Sequence, residues 1–191
     1  MSAAPSTAAR VLVIYAHPEP HRSRVNRLLA EAARALPGVL VHDLYARYPD
    51  FYIDVAHEQA LLADADLLVL LHPIRWYATP SLLKEWVDVV FEAGWAYGDG
   101  ATGLKDKGYL LAVTTGAAAA AYTPDGMHQH EFADFLPPYE QTARLCGMRW
   151  QAPLVLHGAH HASDADVAAH VDAFTRRLAG FALPVTSKAP S

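Results

Sequence analysis

Short, almost uninterrupted apolar runs, each followed by a stretch with helical spacing, constrain this chain more than any other feature. The runs are Val11 to Tyr15, Val39 to Leu44, Leu67 to Leu71, Tyr109 to Thr114 and Pro153 to Leu156. A strand wetted on one face alternates apolar and polar residues. Runs without that alternation suit strands covered on both faces, and strands that alternate with helices pair in parallel. The pattern therefore predicts an α/β chain with a five-stranded parallel sheet and helices on both of its faces.

The helices have readable ends. Ser23 stands where an N-cap belongs, before Val25, Leu28, Leu29, Ala32 and Leu36 on one face, and Pro37-Gly38 closes that segment. Thr79-Pro80 opens a second, with Pro80 at the tolerated first position and Leu83, Trp86, Val87, Val90 and Phe91 turned inward. A third starts with the capping-box pair Ser163 and Asp166, packs Val167, Val171, Phe174 and Leu178, and stops at Gly180. Weaker helical patterns cover Ala56 to Ala63 and Glu131 to Cys146.

With 191 residues, 52% of them hydrophobic and 18% charged, one layered domain over 10–180 accounts for the chain, and 1–9 and 181–191 read as tails. The net charge of −5 and the absence of a basic run argue against a nucleic-acid partner. A lone Cys146 forms no internal disulfide, and MSAAPSTAAR lacks the apolar core of a secretory leader, so the expected place is the cytoplasm. No apolar run reaches the roughly 20 residues that span a bilayer, which leaves only a peripheral membrane role at its inner face.

In a doubly wound sheet, ligands sit beyond the carboxyl ends of the strands. Three loops there stand out. The first, His17 to Asn26, feeds a helix N-terminus, where free N–H groups and the helix dipole favour an anion; Ser23 and Asn26 add donors, and His17 and Arg24 add charge. Equally, Ser23 does no more than cap its helix. The loop has no glycine pattern of the Walker or dinucleotide kind. The second, His72 to Tyr77, sets Trp76 and Tyr77 between prolines as a stiff aromatic wall, suited to a planar ring or to covering a core or dimer contact. The third, Thr114-Thr115-Gly116-Ala117, ends a central strand with two hydroxyls and a glycine that admits close approach of a ligand.

Taken together, Tyr15-Ala16-His17-Pro18 with Ser23 and Asn26, Tyr48-Pro49-Asp50-Phe51, His72-Pro73 with Trp76-Tyr77, Pro80 with Lys84 and Trp86-Val87-Asp88, Gly94-Trp95-Ala96-Tyr97-Gly98 and Thr114-Thr115-Gly116 resemble the flavodoxin-like NAD(P)H:quinone oxidoreductases. Among these the chain looks most similar to the ancillary oxidoreductases of glutathione-gated potassium efflux systems. The likeness runs from Val11 to Leu178. It implies a three-layer sandwich of strand order 2-1-3-4-5, bound FMN or FAD, and a homodimer with active sites at the subunit boundary. It further implies two-electron ping-pong transfer from NAD(P)H to a quinone. His17, Ser23, Arg24, Val25, Asn26, Ile74, Arg75, Trp76, Tyr77, Thr114, Thr115, Gly116 and Ala117 would hold the flavin, and Tyr122 and His128 would offset charge on its reduced form.

The chain departs from the family pattern twice. Ala117 to Ala121 replaces a further glycine and polar residues, so its methyl groups are expected to crowd the flavin edge or narrow the pocket. Arg75 stands where glutamine is commoner and would raise the flavin potential or favour an acidic substrate. Other chemistries are discounted. The eleven histidines, His128/His130 and His160/His161 among them, form no compact ligand set, so no metal is expected. No G-x-S-x-G elbow appears, and Cys146 has nothing to lower its pKa. The rival reading is a flavin-bound regulatory subunit that docks on a potassium efflux transporter. An electron-transfer flavodoxin fits less well, since such proteins bind no nicotinamide and carry a more acidic surface.

Overall fold

The computed structural model describes residues 11–182. Its strands are β1 (Val11–Tyr15), β2 (Val39–Asp43), β3 (Leu67–Pro73), β4 (Gly108–Thr114), β5 (Arg149–Trp150) and β6 (Leu154–Leu156). Its helices are α1 (Val25–Arg34), α2 (Leu44–Arg47), α3 (Val55–Asp64), α4 (Ser81–Val90), α5 (Pro137–Leu145) and α6 (Asp164–Ala182). The strands pair in parallel in the order β2-β1-β3-β4-β5, and β6 also pairs with β4. The pleat of β1 sends Val11, Val13 and Tyr15 into one apolar layer with α1 and α6. Leu12 and Ile14 enter the opposite layer with α2, α3, α4 and α5. This is the three-layer α/β sandwich expected.

The strand expected at Pro153 to Leu156 is β6, which lies on Ala112 to Thr114, and a further short strand, β5, precedes it and lies on Gly108 and Tyr109. Pro153 falls between the two, where it has no N–H to give the ladder. β5 went unread because two residues show no period.

β2 ends at Asp43, one residue short of the expected Leu44, because the Asp43 carboxylate accepts the Ala46 N–H (3.1 Å) and caps α2. Ahead of α5, Phe132–Phe135 forms a separate 3₁₀ turn, and Pro137 and Pro138 open the helix proper. The Ser163–Asp166 capping box is present in both directions, but α6 continues past Gly180 to Ala182. Of the expected tails, only Phe181 and Ala182 lie within the described residues, and both extend α6.

One buried carboxylate fastens the α3 side of the sheet. Glu58, fully buried, accepts from Tyr48 Oη (2.5 Å), Trp86 Nε1 (2.8 Å) and His42 Nε2 (2.9 Å), joining β2, α3 and α4. Burial pushes its pKa up, and the bonds from His42, Tyr48 and Trp86 more than reverse this, so it stays ionised below the ordinary carboxylate range.

His72 on β3 is buried the opposite way. Its Nδ1 shares a proton with the Pro73 carbonyl (3.0 Å), and burial lowers its pKa from 6.5 to about 4. Between those values the unfolded chain binds a proton that the folded chain refuses, so stability rises with pH across this window. His72→Leu should therefore shrink the stability difference between pH 7 and pH 4.5 by about 2 kcal/mol, measured by urea denaturation at both values. An unchanged difference would contradict the assignment.

Candidate functional site

Loops from the ends of β1, β3 and β4 meet around a cavity of about 530 Å³, within the size range of small-molecule sites. The first loop contributes His17, Ser23, Arg24, Val25 and Asn26, the second Ile74 and Arg75, and the third Thr114, Thr115 and Gly116. All of these were expected from the sequence.

The cavity floor on the α1 side suits an anion. α1 begins after Arg24 with no side-chain cap, which leaves the first-turn N–H groups without acceptors of their own. Ser23, read as a candidate cap, does not serve as one: its buried hydroxyl accepts from Tyr15 Oη (3.1 Å) and keeps its own proton to donate. Asn26 Nδ2 donates to Thr114 Oγ1 (3.1 Å), tying α1 to the end of β4, and its Oδ1 is buried without a partner.

The charges differ from expectation. Burial and then the Arg75 charge lower the pKa of His17, whose Nδ1 accepts the Glu19 N–H (3.1 Å), so His17 is neutral near pH 7. Arg24 donates to the Ala162 carbonyl (2.8 Å) and is ion-paired with Asp164 at the start of α6. Arg75, expected as a cation near the flavin, pairs with Glu19 (2.8 Å), and the same carboxylate accepts from Arg22 (3.2 Å). Two guanidinium groups thus share one carboxylate on the cavity lining.

Trp76 and Tyr77 do not line the cavity. Arg75 and Ala78 exchange both backbone hydrogen bonds (2.9 and 3.0 Å), which makes Trp76 and Tyr77 the central pair of a two-residue turn with φ of +49° and +63°. A turn of this kind favours Asn and Gly; bulky residues held there carry backbone strain. Trp76 is 94% exposed. Tyr77 turns inward, stacks on Phe135 (4.9 Å) and meets His128 through Oη and Nδ1 (3.2 Å).

His128 in turn packs on Tyr122 with ring centroids 4.4 Å apart, and its Nε2 is buried without a partner. Tyr122 is buried against Phe132 and His157. Burial raises its pKa, and a hydrogen bond with the Thr115 side chain opposes this. The structure therefore brings Tyr122, His128 and Tyr77 into one cluster beside Thr115.

The alanine tract does not crowd the cavity. Ala117 is absent from the lining, its carbonyl accepting from Thr115 Oγ1 (2.7 Å) and the Gly158 N–H (2.8 Å), while Ala118, Ala119 and Ala120 are exposed. Gly116 does line it, and a Cβ there would stand 3.7 Å from His160.

Sequence reading missed Glu19 and Arg22, which lie inside the first loop, and Ala159 and His160, which follow β6. The strand-end rule covers Leu156-His157-Gly158-Ala159-His160 as well, and that loop was left unread. Among the described residues no group of three or more His, Cys, Asp or Glu side chains is placed to hold a metal, and no helix is long and apolar enough to cross a membrane.

A family model described as the flavodoxin-like fold matches residues 9–178. The chain belongs to that family. It is 47% identical over 174 residues to the glutathione-regulated potassium-efflux system ancillary protein KefG of Cronobacter sakazakii, covering 91% of this chain and 95% of that one. Among solved structures, general stress protein 14 of Treponema denticola, in complex with FMN, superposes with TM-score 0.80 at 38% identity, covering 91% of this chain and 97% of that one. An NADPH-quinone reductase from P. pentosaceus gives 0.81 at 26% identity, covering 88% and 97%. A chain described as a thermophilic tryptophan halogenase gives 0.82 at 36% identity, covering 85% and 95%, so fold alone does not select the reaction.

The strain in the Trp76–Tyr77 turn yields a prediction. Trp76 buries almost nothing, so Trp76→Asn should stabilise the ligand-free protein by about 1 kcal/mol through relief of its left-handed backbone. Chemical denaturation measures this, and a destabilised variant would show that the turn is not strained.

Proposed function

We propose that this protein is an FMN-dependent oxidoreductase that transfers a hydride from NAD(P)H to a quinone or a similar electrophile at a single cavity. The observation that carries the reading is the convergence of three strand-end loops on a cavity that opens at an uncapped helix N-terminus and is lined by Thr115 and Gly116 at its other side; Tyr122 and His128 pack together outside that lining. The FMN-bound relative and the relative named as an NADPH-quinone reductase support it. FMN, when bound, would supply the redox chemistry by accepting the hydride and passing it on.

The residues present fit such a group. The first turn of α1 and the free Ser23 proton suit its phosphate, and the unpartnered Asn26 Oδ1 suits a hydroxyl. Ile74, Arg75 and the Thr115–Gly116 backbone border the space for its ring. Tyr122 donates a proton to the substrate oxygen, and His128 offsets negative charge beside it. Trp76 and Met127, both exposed, would provide apolar surface for a second copy in a homodimer. A cytoplasmic setting supplies NAD(P)H.

Anaerobic spectra test the reading: the yellow absorbance of the FMN-loaded protein should bleach with NAD(P)H and return with a quinone. Persistent oxidised flavin would contradict it. Tyr122→Phe should slow the return by roughly tenfold to a hundredfold while leaving FMN binding intact. Glu19→Gln removes the anion shared by Arg22 and Arg75 and should tighten FMN binding, the effect weakening as salt is raised. Titration by flavin fluorescence reads this, and weaker binding would place the phosphate elsewhere.

The likeness to KefG favours a second role, as an ancillary subunit bound to a potassium efflux transporter. The two roles coexist if docking uses surface away from the cavity. Co-purification with that transporter tests it.

A further inference from the structure

The pleat of β3 turns Leu68 and Leu70 toward the layer that holds α4 and α5, and that layer is not completely filled. A cavity of about 150 Å³ lies in it, floored by Leu70, Tyr109 of β4 and Tyr139 of α5, all buried. Ala78, Lys84 and Pro138, all exposed, form its mouth, so solvent and small molecules can reach it. It shares no lining residue with the cofactor cavity.

The lining says what fits. Tyr139 is 8% exposed, and its Oη is buried without a hydrogen-bond partner. Burial pushes its pKa up to about 12, so the hydroxyl keeps its proton and is a donor without an acceptor. Such a group is costly, and native proteins rarely leave one unused. One face of the ring is already taken, stacked on His72 with centroids 6.3 Å apart. The only charged residue of the lining, Lys84, is held by both oxygens of Asp88 (2.5 and 2.6 Å). A charged ligand would therefore lose its hydration and meet no free counter-ion. An apolar cavity of about this volume accepts one aromatic ring.

The stacked rings of Tyr77 and Phe135 form part of the wall. Tyr77 Oη also meets His128 Nδ1 (3.2 Å), and Phe135 packs 6.2 Å from Tyr122. An occupant thus borders the Tyr122–His128 cluster from outside the cofactor cavity.

We propose that this cavity is a second ligand site, for an uncharged molecule of one aromatic ring that carries an acceptor oxygen, with Tyr139 Oη donating to that oxygen. The site is separate from that of FMN and does not depend on the reaction assigned above.

Titration calorimetry and NMR test this with two probes, acetophenone and α-methylstyrene, which carry oxygen or CH₂ at the same place. Acetophenone should bind with a Kd on the order of 0.1 to 1 mM, in FMN-free and FMN-loaded protein alike. In the FMN-free protein it should shift the ring signals of Tyr77, Phe135 and Tyr139 and leave the amides of Ser23 and Gly116 in place. Tyr139→Phe deletes one buried oxygen and keeps the ring. It should weaken acetophenone roughly twofold to tenfold and leave α-methylstyrene unchanged or tighter. Val87→Phe fills the cavity and should abolish binding of both probes. No binding up to the solubility limit of the probes would mean that water or a neighbouring copy fills the space, and would overturn the proposal. Competition between acetophenone and FMN, or equal weakening of both probes by Tyr139→Phe, would overturn it as well.

Discussion

β1 is held by parallel hydrogen bonds to β2 on one side and β3 on the other, with Tyr15 set against Asp43 and Leu71. The rest of the structure depends on that placement. The chain leaves β1 through α1 on one face of the sheet and leaves β3 through α4 on the other, so the loops after these strands diverge and leave a crevice between them. Asn26 bonding to Thr114 then sets the end of β4 against the start of α1 and closes the crevice into a cavity. A site able to take a mononucleotide follows from strand order before any special residue is considered.

What lies around that crevice is divided between rigid packing and held strain. Glu58, with three donors, locks the α3 side far from the cavity. At the cavity rim, by contrast, Trp76 and Tyr77 occupy left-handed backbone with one aromatic ring fully offered to solvent. Strain of this sort persists only where the surroundings over-determine it. Here two hydrogen bonds between Arg75 and Ala78 and the stacking of Tyr77 on Phe135 hold the turn in place.

The sheet was legible because β1, β3 and β4 are apolar at nearly every position, which only strands covered on both faces can afford. The loops after β1, β3 and β4 were legible for the same reason: a strand's end is visible where its apolar run stops. What stayed hidden has physical causes. The edge strand is broken at Pro153 and too short to show a period. The pairing of Arg75 with Glu19 spans loops far apart in the chain, so the sequence shows two charges and no bond. Ser23 looks like a cap from its position, and only the third dimension reveals Tyr15 as its donor. His157 was passed over among many histidines because its contacts, Thr115 and Tyr122, lie 42 and 35 residues away in sequence.

The central claim is that the crevice between β1 and β3 is a flavin mononucleotide site. A crystal structure of the protein soaked with FMN tests it most directly. The account predicts the phosphate at the first turn of α1 within reach of Ser23, and the ring between Ile74–Arg75 and Thr115–Gly116, with the Tyr122 hydroxyl at its edge. Density for FMN elsewhere, or a cavity that stays empty at saturating FMN, would contradict it.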